Sequence, residues 1–361
     1  MNNSDGNSWT IQRERNPTER RTEPGKPASV PRHREDSRAR GPGHQVGRDD
    51  GRGRSADKPS DIPAQGWKDI LLRVFRGIAE DRILANAAAV AFYSLLAIFP
   101  ALTALVSIYG LFSDPTTIEQ QLEIVSGVLP GGALDIIRDQ LHRLVAQPRG
   151  TLSVSFVIAL LVSLWSANSA IKAMFDALNT VYEEREERSF VKLNAITLTF
   201  TIALIGFLIL ALVAFVAVPV LLNYLPGFIG TVINIARWPL MAVLVAVVLA
   251  FVYRYGPSRE EPKWRWLTWG SAFAAIGWLA FSAAFSFYAA NFGTFNKTYG
   301  SLGAVVGFMT WMWLSVVVIL IGGKLNAEME HQTARDTTEG APKPLGARRA
   351  KMADSVGQAQ S

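Results

Sequence analysis

Four polar side chains share one stripe of an otherwise apolar stretch. In LSVSFVIALLVSLWSANSAIKAMFDALNTVY (residues 152–182), Asn168, Lys172, Asp176 and Asn179 recur at steps of four, four and three, which is a single helical face. A carboxylate and an amine one turn apart, at the end of an apolar span, are equipped to handle an ion or a polar head group. In that chemistry Asp176 takes the cation or proton, Lys172 is its counter-charge, and the two asparagines are neutral ligands. The same spacing also suits a lysine that snorkels to the boundary beside an aspartate already in water. Both readings stand at this level.

The elements that must hold this face are set by composition. Apolar residues make up 49% of the 361 residues, and they are gathered into runs of eighteen or more, which marks membrane-spanning helices. There is no cysteine, so disulfides, thiolate metal sites and cysteine nucleophiles are excluded. The four histidines (His33, His44, His142, His331) fall outside the apolar runs. No metal site and no cofactor is expected. The net charge of +6 sits mainly in loops and tails, as for a chain oriented by its basic loops.

The fold class expected is an all-α polytopic membrane protein. Residues 1–62, rich in Arg, Pro, Gly and acids, form a disordered basic cytoplasmic tail. Residues 63–86 form an interfacial amphipathic helix, with Trp67, Ile70, Leu71, Val74, Phe75 and Ile78 on one stripe. Lys68, Asp69, Arg73, Arg76, Glu80 and Asp81 lie largely opposite. Residues 87–328 hold six spans, at about 88–112, 152–172, 193–222, 238–253, 267–290 and 302–325. Pro100 frees a backbone carbonyl in the first span and predicts a kink. The first outer loop carries two short amphipathic helices, near 116–129 and 133–147, hinged at Pro130-Gly131-Gly132. Gly270 with Ala274, Ser271 with Ala275, and Gly303 with Gly307 place small residues four apart, where helices pack closely. Residues 329–361 form a second disordered cytoplasmic tail.

Orientation follows from Lys and Arg. Loops 183–192 and 254–265 hold seven in twenty-two residues, whereas the other three loops hold five in sixty-five. Both termini are therefore expected inside.

Four segments resemble the YihY/BrkB family of bacterial inner-membrane proteins: AAAVAFYSLLAIFPAL (87–102), LWSANSAIKAMFDALNTVYEEREERSF (164–190), YGPSREEPKWRWLTWGSAFAAIGW (255–278) and YGSLGAVVGFMTWMWLSVVVILIGGKLNAEME (299–330). The resemblance covers about residues 66–330. It implies six helices in the cytoplasmic membrane and a disputed biochemistry: candidate transport, resistance to serum killing, cation–proton exchange, and an older ribonuclease label. The chain departs from the family pattern at Lys324-Leu325-Asn326, where lysine stands in place of the expected acid. Asn326 keeps the pattern, and Glu328, one turn beyond Lys324, is the acid that could substitute.

Transport or translocation of an ion, small solute or lipid is the function expected, with substrate unassigned. The alternative is a non-transporting scaffold or envelope-integrity protein, in which loops and amphipathic segments matter more than intramembrane polar groups. An enzyme is not expected: there is no HExxH, no paired-acid motif and no basic–aromatic platform for RNA. The expected partners are the lipid bilayer and a second copy or other membrane proteins, not nucleic acid.

Overall fold

The structure, a computed structural model, describes residues 51–112, 149–222, 227–292 and 303–360. Six long helices dominate it: α2 (Ile83–Phe112), α3 (Arg149–Val181), α4 (Phe190–Leu222), α5 (Gly227–Tyr255), α6 (Trp264–Phe292) and α7 (Gly303–Gln332). They follow α1 (Ala64–Glu80) and precede the single turn α8 (Lys351–Asp354). Among the described residues no strand forms, only an isolated antiparallel bridge between Pro262 and Thr338.

Each long helix is an apolar run whose backbone polar groups are satisfied internally, as a hydrocarbon environment demands. Among the described residues, Val157–Val181, Phe190–Phe207, Trp264–Tyr288 and Val305–Gln332 are long and apolar enough to cross a membrane. Ala64–Glu80 and Ile83–Ile98, bent by 61°, make a fifth if taken as one broken span, and Pro239–Tyr255 is a shorter apolar helix. Large apolar side chains face outward, Trp165 at 77% exposure and Phe75 at 75%. Such a surface is suited to lipid rather than water. The chain is thus an all-α polytopic membrane protein.

Helix bounds differ from the sequence reading at loop-side ends. α3 runs two and a half turns past Lys172, and α5 begins eleven residues before 238, because an apolar-run criterion stops at the first polar side chain although the hydrogen-bonded helix does not. α2 runs through Pro100 as one helix. The helices expected near 116–129 and 133–147 lie outside the described residues, as does the tail up to residue 50.

α2 packs along α3, and α7 packs against α6, α2 and α1. The core gathers Ile83, Ala87, Leu178, Val181, Tyr253, Leu267, Ala274 and Leu320. The tightest crossing joins α6 to α7. A Cβ placed on Gly322 would lie 2.6 Å from Ala274 Cβ, 2.7 Å from Tyr253 Oη and 2.8 Å from Gly270 O. The small pair Gly270/Ala274 lies at this close crossing, opposite Gly322. Gly303 is buried and Gly307 half-buried at the far end of α7, about four turns away.

Two expectations are corrected. Residues 329–360 are not a disordered tail: α7 continues to Gln332, and the remaining segment folds back as a strap. Arg348 donates to the carbonyls of Lys343, Arg335, Ala334 and Ala353. Lys263 N–H donates to Thr337 O and Gly357 N–H to His331 O. Residues 51–62 also pack, with Ala56 and Ile62 buried and the carbonyls of Arg54 and Ala56 accepting from Thr333 Oγ1. Both segments are ordered largely by hydrogen bonds to backbone carbonyls, with only a few apolar anchors such as Ile62 and Met352, so composition hides them.

Candidate functional site

The polar face read on α3 divides in the structure. Asp176 is exposed, and its carbonyl accepts from Thr180 Oγ1. Lys172 lies with Nζ 6.0 Å over the Phe190 ring and makes no ion pair with Asp176. Asn168 is half-buried, its Oδ1 shielded without a hydrogen-bond partner. Asn179 alone is buried, and it ties loops together. Its Nδ2 donates to Glu186 Oε2 at 3.1 Å, and its Oδ1 accepts from Ser258 N–H at 2.7 Å. Glu186 is further held by Arg188, which also donates to the carbonyls of Tyr255 and Gly256. Those carbonyls are the unsatisfied C-terminal end of α5, where a cation is favoured. Burial alone would raise the Glu186 pKa, but the Arg188 and Asn179 bonds outweigh it and bring it down to about 2.

The charges that are buried together belong to α7 and the α1–α2 elbow. Lys324 Nζ stands 2.8 Å from Asp81 Oδ2 and 3.2 Å from Glu328 Oε1. The other Glu328 oxygen meets Arg73 Nε at 2.5 Å, with His331 Nδ1 at 3.6 Å. Two cations thus face two carboxylates, with side-chain exposures of 4% for Lys324, 5% for Glu328, 9% for Arg73 and 12% for Asp81. Lys324 fits because α1 presents Gly77 there: a Cβ would come within 3.2 Å of Nζ and closer still to Cε. Arg73 is capped by the strap, donating to Gln358 O, while Gly357 lies directly against its guanidinium.

This overturns part of the expected solvated face of α1, while Lys68, Arg76 and Glu80 stay exposed. Asp69 and Arg73 are buried, whereas Leu71 and Phe75 are exposed. Asp69 is paired with Arg52 at 2.6 Å and accepts from Gln360 N–H. The buried stripe is Gly66, Asp69, Ile70, Arg73, Val74 and Gly77. Two glycines on the same face as two charges were the legible sign of a face that other groups approach closely, the Arg52 carbonyl at Gly66 and the Lys324 side chain at Gly77.

A second ionic knot lies on the other side of α7. Arg259 meets Glu330 at 2.7 and 3.2 Å, both side chains at 0% exposure. Thr337 donates to Glu330 at 2.9 Å, and the guanidinium sits 4.4 Å over the Tyr182 ring. Burial disfavours the charged Arg259, but the adjacent Glu330 outweighs it and holds the guanidinium charged. Burial pushes the Tyr182 hydroxyl up. Asn326 faces α6 and accepts from Gly270 N–H at 2.9 Å. Its Nδ2 and the Tyr182 hydroxyl are buried beside one another.

Of the residues read from the sequence, the structure brings Lys324 and Glu328 together, turns Asn326 to the α6 crossing, and keeps Asp176 apart from them all. Arg73, Asp81, His331, Arg259, Tyr182 and Glu330 were missed, because each looked like boundary or loop chemistry. Among the described residues no group of three His, Asp or Glu side chains is arranged to hold a metal ion.

A bundle of long apolar helices with an apolar exterior, closed at one end by buried ion pairs, defines a multi-pass helical membrane protein. The chain belongs to the family described as Virulence factor BrkB, whose model matches residues 74–345. That match runs past α7 into the strap. The ribonuclease-like protein YfkH of Bacillus subtilis is 28% identical over 249 residues, covering 67% of this chain and 88% of YfkH. A UPF0761 membrane protein of Alkalilimnicola ehrlichii is 28% identical over 291 residues, 75% of this chain and 61% of that protein. UPF0761 membrane protein Mpe_A1422 of Methylibium petroleiphilum is 23% identical over 270 residues, 72% of this chain and 62% of that one. The chain thus spans less than two thirds of the length of the last two. No solved structure matches it.

Proposed function

We propose that this protein is a non-enzymatic transporter or translocator of the cytoplasmic membrane, both termini inside, with its polar machinery in the Arg73–Glu328–Lys324–Asp81 cluster. The observation that carries this reading is the burial of four charges, beside the half-buried His331, where α1 and its elbow meet α7. Ionisable groups within a membrane bundle are costly and tend to mark substrate or proton paths. In this reading Glu328, shared between two cations, is the group that a proton or incoming cation competes for, and Lys324 moves with its load. Substrate class stays open between an ion, a small solute and a lipid.

The scaffold reading is favoured by a different observation: the four charges neutralise one another and latch α1 to α7, which is also a structural task. Flux in proteoliposomes with an internal pH dye, pulsed with sodium or potassium, separates the two. The variant is Lys324→Met with Asp81→Asn, which removes one neutral pair and spares the fold. Cation-dependent flux lost in that variant supports transport through the cluster. No flux in either protein, here and in a lipid-translocation assay, leaves the scaffold reading.

A further inference from the structure

We propose that the notch where α1 meets the start of α6 is a binding site for the headgroup of an anionic phospholipid. The floor of the notch is an aromatic pair, Trp67 of α1 and Trp269 of α6, with ring centroids 5.6 Å apart. Trp269 is 49% exposed, and tryptophan settles at the membrane–water boundary because its ring is amphipathic. Each tryptophan has a cation near it in its own helix. Lys68 follows Trp67, and Arg265 lies one turn before Trp269 on the same face of α6. Both are exposed, and among the described residues neither makes an ion pair. The nearby acids are already taken, Asp69 by Arg52 at 2.6 Å and Asp61 by Lys58 at 3.8 Å.

Along α6 the exposed residues run in the order of a lipid's own depth profile. The Arg265 charge comes first, the Trp269 ring next, and Phe273 and Ile276, 48% and 63% exposed, continue inward. On α1, Leu71 and Phe75 extend the apolar ground beside the notch at 57% and 75% exposure. A phosphate between Lys68 and Arg265, with acyl chains on Phe273 and Ile276, satisfies every one of these surfaces. A zwitterionic lipid leaves the two cations without net compensation. The site stands independently of transport.

Native mass spectrometry of the purified full-length protein tests this, with phosphatidylglycerol and phosphatidylcholine of the same chains offered together. The glycerol lipid should dominate the bound population. Lys68→Ala with Arg265→Ala should erase that preference, by roughly fivefold for each cation removed, while Lys68→Arg with Arg265→Lys retains it. Arg185→Ala, an exposed cation in the α3–α4 loop, should leave it unchanged. Equal retention of both lipids by the wild type overturns the proposal. So does an unaltered preference in the double alanine variant, an equal loss in Arg185→Ala, or displacement of the lipid by millimolar inorganic phosphate.

Discussion

The C-terminal end of α3 and the C-terminal end of α7 carry nearly the same inventory: a lysine, an acid one turn later, and an asparagine. On α3, Lys172 and Asp176 remain apart, the acid on the exposed face. On α7, Lys324 and Glu328 are buried, joined to each other and to Arg73 and Asp81. The difference lies in the neighbours. α7 is crossed by α1 through a glycine, and that approach excludes water and imports the second cation and second acid. A helical face supplies candidates, and a second backbone at close range decides which of them become a site.

The contrast is broken most severely at the Arg259–Glu330 knot. Arg259→Met leaves Glu330 fully buried without its charge partner, and about 3–5 kcal/mol of stability should be lost, visible as a large fall in the thermal midpoint in detergent. Asn179→Ala removes two hydrogen bonds and leaves Glu186 and Ser258 N–H short of a partner. It should cost about 1–2 kcal/mol, with faster hydrogen exchange in the 182–189 and 256–263 loops. Asp176→Asn, on the exposed side of the same helix, should stay within about 0.5 kcal/mol of wild type.

Acid sharpens the comparison at Glu186. Its folded pKa of about 2 lies below the ordinary 4.5. The stabilisation is therefore complete above pH 4.5 and drains away as pH falls towards 2. Hydrogen exchange at the 182–189 loop should rise through that window, and Glu186→Gln should flatten the change.

The six long helices and the Gly270/Ala274 seam were legible, since apolar runs and small-residue spacing are local signals. The elbow cluster was not. Arg73 sits on an amphipathic helix, with Asp81 at its end, whose exposed side mixes Leu71 and Phe75 with Lys68, Arg76 and Glu80, so hydropathy alone does not say which of its charges are buried. Gly66 and Gly77 mark the face, because the Arg52 carbonyl lies against the first and the Lys324 side chain against the second. The strap was hidden for another reason. Its order comes from Arg348 and a set of backbone groups satisfying carbonyls, and a polar composition looks the same whether such bonds form or not.

The absence of native cysteine makes the central distinction directly measurable by single-cysteine labelling in native membranes. Asp176→Cys and Ala327→Cys compare the exposed face with the buried one, since Ala327 is 0% exposed between Asn326 and Glu328. With an impermeant maleimide added to inside-out vesicles, Asp176→Cys should react within minutes and Ala327→Cys only after denaturation. Rapid labelling of Ala327→Cys alongside protection of Asp176→Cys would contradict the account and return the candidate site to α3.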